Sequence, residues 1–325
     1  MLPRFVLRGG RALANLLRYG RLIAEFWWLR KRVHHPVHVC LSVDVDPWLE
    51  EPPIRGCEAI EMALARRGLS GRVTYLINPC CGLERCAATL EQLARDGNEI
   101  GLHCHQEARV LAGDAADIEA AIEAEKAAVE SFFRRWTPAF SVQTFRSGSR
   151  AFSPALFEAL ARLGLRYDST LAHRRQVREL QGHRLQDGLT PGRAFYLSPA
   201  DPTRESSDPT PLVEIPVSSQ IPNLRGLISA LRPGEPLLIA TFVHPYNFHR
   251  NGRRRWMFQT FYAFVLFCLT RLPEARFSHL SEAGRAWEAW FASHVGSPTP
   301  ITHGEAPAAA GANPFAGAAD TVKSA

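Results

Sequence analysis

Long apolar runs are missing from this chain. A bilayer-spanning helix needs about 20 predominantly apolar residues, and no stretch of the 325 supplies them. A secretory signal is not expected either. Such a signal needs one unbroken apolar run and a small-residue cleavage site, whereas Arg18, Arg21 and Glu25 break the N-terminal runs. Cysteine pairs with metal or redox spacing are also missing. The seven cysteines lack the spacing of a disulfide framework, and "CCGLERC" contains no CxxC. Reduced thiols in the cytoplasm are therefore expected, and a structural cysteine-zinc site is not. No GxGxxG follows a strand pattern and no GxxxxGK[ST] occurs, so dinucleotide and P-loop readings lose support. No internal repeat is visible.

Net positive charge is missing too, once the first 35 residues are set aside. Residues 1–35 hold eight Lys or Arg against Glu25 alone, a net +7, so the rest of the chain sums to −1 within a total of +6. A basic arm on a nearly neutral body does not suit nucleic acid, which wants cations spread along a binding face. The arm has helical periodicity: Leu13, Leu16, Leu17, Ile23 and Trp27 on one side, Arg11, Asn15, Arg18 and Glu25 on the other. Such a helix suits the interface of an anionic membrane, at the inner face if the protein is cytoplasmic. Packing on its own domain or on a partner is the alternative.

What is present is a repeated alternation. Apolar, β-branched runs such as "VHVCLSVDV", "RVTYLI", "NEIGLH", "VQTFR" and "LLIATFVH" are separated by helical patterns. Ser153 before Pro154 reads as a helix start, and Gly164 as its stop. Residues 174–210 are less regular and read as an insertion, with a strand at "AFYLS". An apolar helix is expected over about 255–272. From about residue 293 the chain is dominated by Ala, Pro and Gly, and disorder is expected. Strand–helix alternation argues for parallel strands under outer helices. About seven units predict an α/β fold of the (β/α)-barrel type, imperfectly closed, over residues 36–292. An open doubly wound sheet is the alternative.

Ionisable residues recur where the strand patterns end: Asp44 and Asp46, His103 and His105, Arg146, Asp168, His244. In a parallel barrel these ends share the face that carries the active site. Period 2 puts Asp44 and Asp46 on one side of their strand. Two adjacent carboxylates stay ionised only near a cation, either a metal or Arg146; capping of the next segment is the bland alternative. His103 and His105 in "EIGLHCHQE" can offer two imidazoles to a borderline ion such as zinc. Glu107 replaces His105 if the chain turns sharply after Cys104, which should itself point to the core. His244 is either a satisfied core histidine or the general acid of a hydrolytic site.

The order of these motifs resembles the polysaccharide deacetylase (NodB-homology) family. "SVDVDP" stands at its Asp-Asp motif, "EIGLHCHQE" at its His motif, "TFRSGSRAFSP" at its Arg motif and "FVHPY" at its C-terminal His motif. The likeness runs roughly from Val37 to Trp290. It implies a distorted, often seven-stranded (β/α) barrel that uses a divalent metal, zinc by the donor set, to remove acetyl or formyl groups from N-acylated sugars. It further implies Asp46 and His103 as ligands, Asp44 as general base, Arg146 holding Asp44, His244 as general acid and Asp168 orienting it. The family's usual second histidine, four residues after the first, is Glu107 here; relatives with HxH favour His105. Lipid-linked or envelope polysaccharide precursors are the substrates that a membrane-seated arm would suit. The alternatives are a C–N hydrolase of small cyclic or linear amides and a non-catalytic glycan-binding protein.

Overall fold

The computed structural model describes residues 20–295, except 22, 29, 32–34, 48–52, 173–175, 181–182, 188–192, 199–200, 202–203, 208 and 219–223. Most of the arm and the tail expected to be disordered thus lie outside the described residues. A helical stretch, α1, at residues 20–21, 23–28 and 30 precedes the barrel. Then follow β1 (Val37–Val45), α2 (Ile54–Ala65), β2 (Val73–Ile77), α3 (Ala87–Arg95), β3 (Glu99–Cys104), α4 (Glu107–Ala112), α5 (Ala115–Arg134) and β4 (Thr144–Ser147). After these come α6 (Pro154–Arg162), β5 (Tyr167–Asp168), the hairpin β6 (Gln176–Leu180) and β7 (His183–Asp187), then β8 (Phe195–Tyr196) and β9 (Val213–Glu214). The described residues end with α7 (Leu224–Ser229), β10 (Leu237–Val243), α8 (Pro245–Phe248), β11 (His249–Arg250), β12 (Arg253–Arg254), α9 (Trp256–Leu269), β13 (Ala275–Phe277) and α10 (Leu280–His294).

Local chemistry accounts for several of these limits. At the start of α6 the Ser153 hydroxyl accepts from the Leu156 N–H, with Pro154 in the first turn, where its missing N–H costs nothing. Asp114 caps α5 by accepting from the N–H groups of Ala116 and Asp117. All nine residues of β1 are buried, as expected of a central parallel strand covered on both faces. α10 runs to His294, two residues beyond the domain limit expected from the sequence.

Seven parallel strands curl in the order β10-β1-β2-β3-β4-β5-β9, with β8 antiparallel on β9 and β13 beside the start of β1. The curl closes through one residue rather than a ladder. Val217, just past β9, bridges Ala172 on one side and Ala240 of β10 on the other. The Ser218 N–H completes the seam by donating to the Ala240 carbonyl at 2.8 Å. The expected distorted barrel is therefore the fold, with its distortion at this seam.

Alternation sorts the side chains into two layers. Val39, Leu41, Val43 and Val45 of β1 pack outward with the helices in the larger core. Cys40, Leu76 and Ala240 point inward with Trp287 and Leu280 of α10, which plug the bottom of the barrel. Above this apolar plug the inward positions turn polar: Ser42 and Asp44 on β1, His103 on β3, Arg146 on β4. The sequence thereby seals one end and leaves chemistry at the other.

α1 faces differently from expectation. Phe26 is buried in the main core and Glu25 is buried beside Arg21 at 2.6 Å, while Ile23 and Trp27 are exposed. The helix is rotated because the Phe26 ring finds a core site and Arg21 neutralises the glutamate that goes in beside it. In its described part the arm packs on its own domain.

Candidate metal and catalytic site

Asp44 is only 3% exposed. A carboxylate so deep must be paired and hydrogen-bonded, and Arg146 does both. β3 and β4 pair so that His103 stands opposite Arg146, and the buried guanidinium reaches across the barrel interior to β1. It donates to Asp44 Oδ1 at 2.6 Å, Ser42 Oγ at 2.9 Å, the Ser169 carbonyl at 2.8 Å and Ser169 Oγ at 3.0 Å. Its face lies 5.4 Å from the Phe242 ring centroid. Asp44 is thus held with one oxygen committed and the other turned to the pocket.

Asp46, His103 and His105 form the next layer up. Each offers one ligand atom, all within 4.8 Å of one another. His103 Nε2 is 3.2 Å and His105 Nε2 3.0 Å from the same oxygen, Asp46 Oδ1. Bonds of about 2.0–2.1 Å at a tetrahedral ion put neighbouring ligand atoms about 3.3 Å apart; both imidazoles already stand near that spacing from Asp46 Oδ1, and the set as a whole lies within 4.8 Å. The outer nitrogens are set to match. His103 Nδ1 faces the Arg146 carbonyl at 2.8 Å, where it must donate, which leaves Nε2 as the metal-side atom. His105 Nδ1 faces Glu107 Oε1 at 2.7 Å. Glu107 therefore does not replace His105; it backs it, and it also accepts from Ser149 Oγ at 2.9 Å. Gly148 makes this possible, since a β-carbon there would sit 2.5 Å from His105 Nδ1. Cys104 points to the core as expected.

The charges of this cluster are displaced as a unit. Burial alone would push Asp46 up, yet hydrogen bonds from His103 and His105 hold its carboxyl well below the usual range. Bonds to Asp46 and Glu107 push His105 up to about 10. Burial opposes the charge on His103, but Asp44 and Asp46 outweigh it and raise the imidazole. A cation bound by two imidazoles and a carboxylate so disposed would have to displace protons from them.

His244 ends β10 and closes the ring. Its Nε2 lies 3.6 Å from Asp46 Oδ2 and 3.8 Å from Asp44 Oδ2. Burial pushes its pKa down, against the pull of Asp44 and Asp46. Tyr246 stacks on the imidazole at 4.6 Å between centroids, and the His244 N–H donates to Asn247 Oδ1 at 2.9 Å. Gly56 of α2 lets the following segment approach, because a β-carbon there would meet the Pro245 carbonyl oxygen at 2.4 Å. Asp44, Asp46, His103, His105, Arg146 and His244 all line one pocket of about 570 Å³.

Asp168 is the exception, and its expected role is corrected. It does not line this pocket and makes no hydrogen bond to His244. Thr170 Oγ1 donates to its Oδ1 at 2.7 Å, and its other partner is Glu214. Both carboxyls are at most 1% exposed. Burial raises both, and Asp168 raises Glu214 further. Asp168 Oδ2 and Glu214 Oε2 have no donor as they stand; one proton held by Glu214 and shared with Asp168 satisfies both. Glu214→Gln keeps a donor there and should leave the melting temperature nearly unchanged. Glu214→Ala strands Asp168 and the Leu171 N–H, which now bonds Glu214 at 2.9 Å, at a cost of about 3 kcal/mol. Equal destabilisation of the two variants in thermal melts would show that the pair is fully ionised.

Several pocket residues were missed. Asn78 follows β2 and lines the pocket, so the strand-end rule that found Asp46 could have found it. Tyr246 stood in "HPYNF" beside a noted histidine. Ser149 and Arg150 line the pocket with φ of 47° and 53°, a left-handed pair that side-chain-bearing residues seldom adopt; the sequence carries no signal for it.

No family model matches the sequence, and no curated protein matches it. Solved structures do. A protein of Mycobacterium smegmatis assigned as a polysaccharide deacetylase superposes with a TM-score of 0.53 over 85% of this chain and 96% of its own, at 15% identity. The chain has the polysaccharide deacetylase fold. The Xyl-CE4 domain of a multidomain xylanase from the hindgut metagenome of Trinervitermes trinervoides is similar at TM-score 0.42 and 12% identity, covering 77% of this chain and 90% of that one. BA3943 of Bacillus anthracis, a CE4 family pseudoenzyme, is similar at 0.39 and 9%, covering 76% and 69%. At these identities the likeness is one of fold, and what the chain does must be argued from its own residues.

Proposed function

We propose that the chain is a metal-dependent hydrolase that removes an N-acyl group, acetyl or formyl, from a sugar. The observation that carries this reading is the convergence of an Asp46–His103–His105 ligand set, an Arg146-held Asp44 and His244 in one pocket. Two imidazoles and one carboxylate suit zinc, with positions left for water and substrate. A zinc ion held by Asp46, His103 and His105 would polarise the amide carbonyl and acidify water at the site.

The protein groups supply the proton transfers. Asp44 takes a proton from the attacking water as the oxygen–carbon bond forms. Arg146 keeps the Asp44 carboxylate aimed, since four bonds fix its guanidinium. When the carbon–nitrogen bond breaks, the amine needs a proton, and His244 is the group placed to give it. Burial lowers the pKa of His244, which makes its imidazolium a ready donor. Asp44 Oδ2, 3.8 Å from His244 Nε2, can return the proton taken from water. The products are the free carboxylic acid and the amino sugar.

His244→Ala should retain metal by elemental analysis and lose about 10²–10⁴-fold in turnover, the range for a general acid. N-acetylated and N-formylated sugars and a panel of small cyclic amides are the substrates to compare. Unchanged turnover in His244→Ala would remove His244 from the mechanism. Hydrolysis of the cyclic amides alone would move the reading to a small-amide hydrolase.

A further inference from the structure

Exposed large apolar side chains are few among the described residues, and they gather. Met62, Trp256, Met257 and Phe267 are four of the seven, at 48%, 68%, 64% and 45% exposure. All but Met257 line a groove of about 620 Å³ between α2 and α9, and Met257 adjoins it. Four arginines line the same groove: Arg66, Arg67, Arg254 and Arg271, with no acidic residue among the described residues of the lining. Arginines elsewhere, such as Arg95, Arg134, Arg162 and Arg232, sit against carboxylates. These four do not. Arg67 bonds the Ala63 and Ala263 carbonyls, Arg254 bonds Gln259, and Arg271 lies over the Phe267 ring at 3.5 Å. α9 buries Tyr262, Val265, Leu266 and Leu269 on one side yet stays apolar on the other.

We propose that the α2–α9 groove seats the protein on the surface of an anionic lipid bilayer. Exposed tryptophan and methionine beside arginine match the level where apolar chains meet anionic headgroups. With 14 residues, α9 is about 21 Å long, short of a hydrocarbon core of about 30 Å, so it lies in the interface and does not cross. Charge excludes the obvious internal occupant, since residues 1–19 carry four arginines and no acid. The seat adjoins the pocket along the chain: α8 and the β11–β12 hairpin alone separate His244 from Trp256.

The test is sedimentation of the full chain with phosphatidylcholine vesicles, with and without 30% phosphatidylglycerol (about one lipid in three). The wild type should bind the anionic vesicles and release with salt. R66Q/R271Q should bind about 25-fold more weakly, about fivefold per arginine, and W256S/M257S should also lose binding. Both should keep wild-type circular dichroism and wild-type hydrolysis of a water-soluble substrate. Hydrogen exchange of the wild type, which needs no variant, should show vesicle-induced protection in α9 and residues 62–67. No preference for phosphatidylglycerol, protection confined to residues 1–35, or a dimer that W256S/M257S converts to monomer would each overturn the proposal.

Discussion

Asp46→Ala is expected to leave the purified protein without divalent metal and without hydrolytic activity. Both imidazoles aim Nε2 at one oxygen of this carboxylate, so its removal takes away the only anionic ligand and the charge that orients the other two. His103→Ala should do the same, because His103 is fixed from behind by the Arg146 carbonyl and supplies one of the three ligand atoms of the cluster. Elemental analysis of protein purified without chelator reads the metal, and turnover should fall at least about 10⁴-fold, as when both an electrophile and its oriented water are lost. A pH signature accompanies the wild type. In the metal-free protein His105 is raised to about 10, above its unfolded value near 6.5. Its proton therefore adds stability fully below about pH 6.5, and that contribution is lost as pH rises through about 10. Metal must displace this proton, so loading should release protons, and apparent affinity should rise with pH up to about 10. Asp46→Ala should abolish that release. Full metal content and full turnover in Asp46→Ala would remove the cluster as a functional site.

The same residues show why much of this site could be read without coordinates. In "VHVCLSVDVDP" the two-residue period is a local rule, and it alone puts Ser42, Asp44 and Asp46 on one side of β1. His103 and His105 share a parity for the same reason. Parallel pairing then stacks the strand ends on one rim, where His103 meets Arg146. What stayed hidden depends on contacts between distant segments. Asp168 was expected beside His244, but a second buried acid, Glu214 from β9, takes it instead. Nothing local to "YDST" announces that partner. The single-residue closure at Val217 and the inward turn of Phe26 are likewise choices made by the assembled core. The left-handed pair at Ser149 and Arg150 follows Gly148, whose close approach to His105 is a contact between distant segments.

Arg146→Met should be the most destabilising single change in the site. The side chain is 1% exposed, and methionine fills much of its volume, so packing is not the main loss. The loss is electrostatic. Asp44 would keep its burial and lose its ion pair, and Ser42 and Ser169 would lose a shared donor. Removing one partner of a buried pair costs about 3–5 kcal/mol, which corresponds to roughly 10 °C of melting temperature for a chain of this size. Arg146→Lys should recover only part of this, because one ammonium cannot serve four acceptors in a fixed fork. Metal content should survive both changes, since His103 is held by the backbone carbonyl of residue 146 and not by its side chain. Adding Asp44→Asn to Arg146→Met removes the stranded charge and should restore much of the melting temperature while leaving turnover absent. If Arg146→Met alone melts like the wild type, Asp44 is not an ionised, arginine-held base, and the proton-transfer half of the mechanism falls while the metal cluster stands.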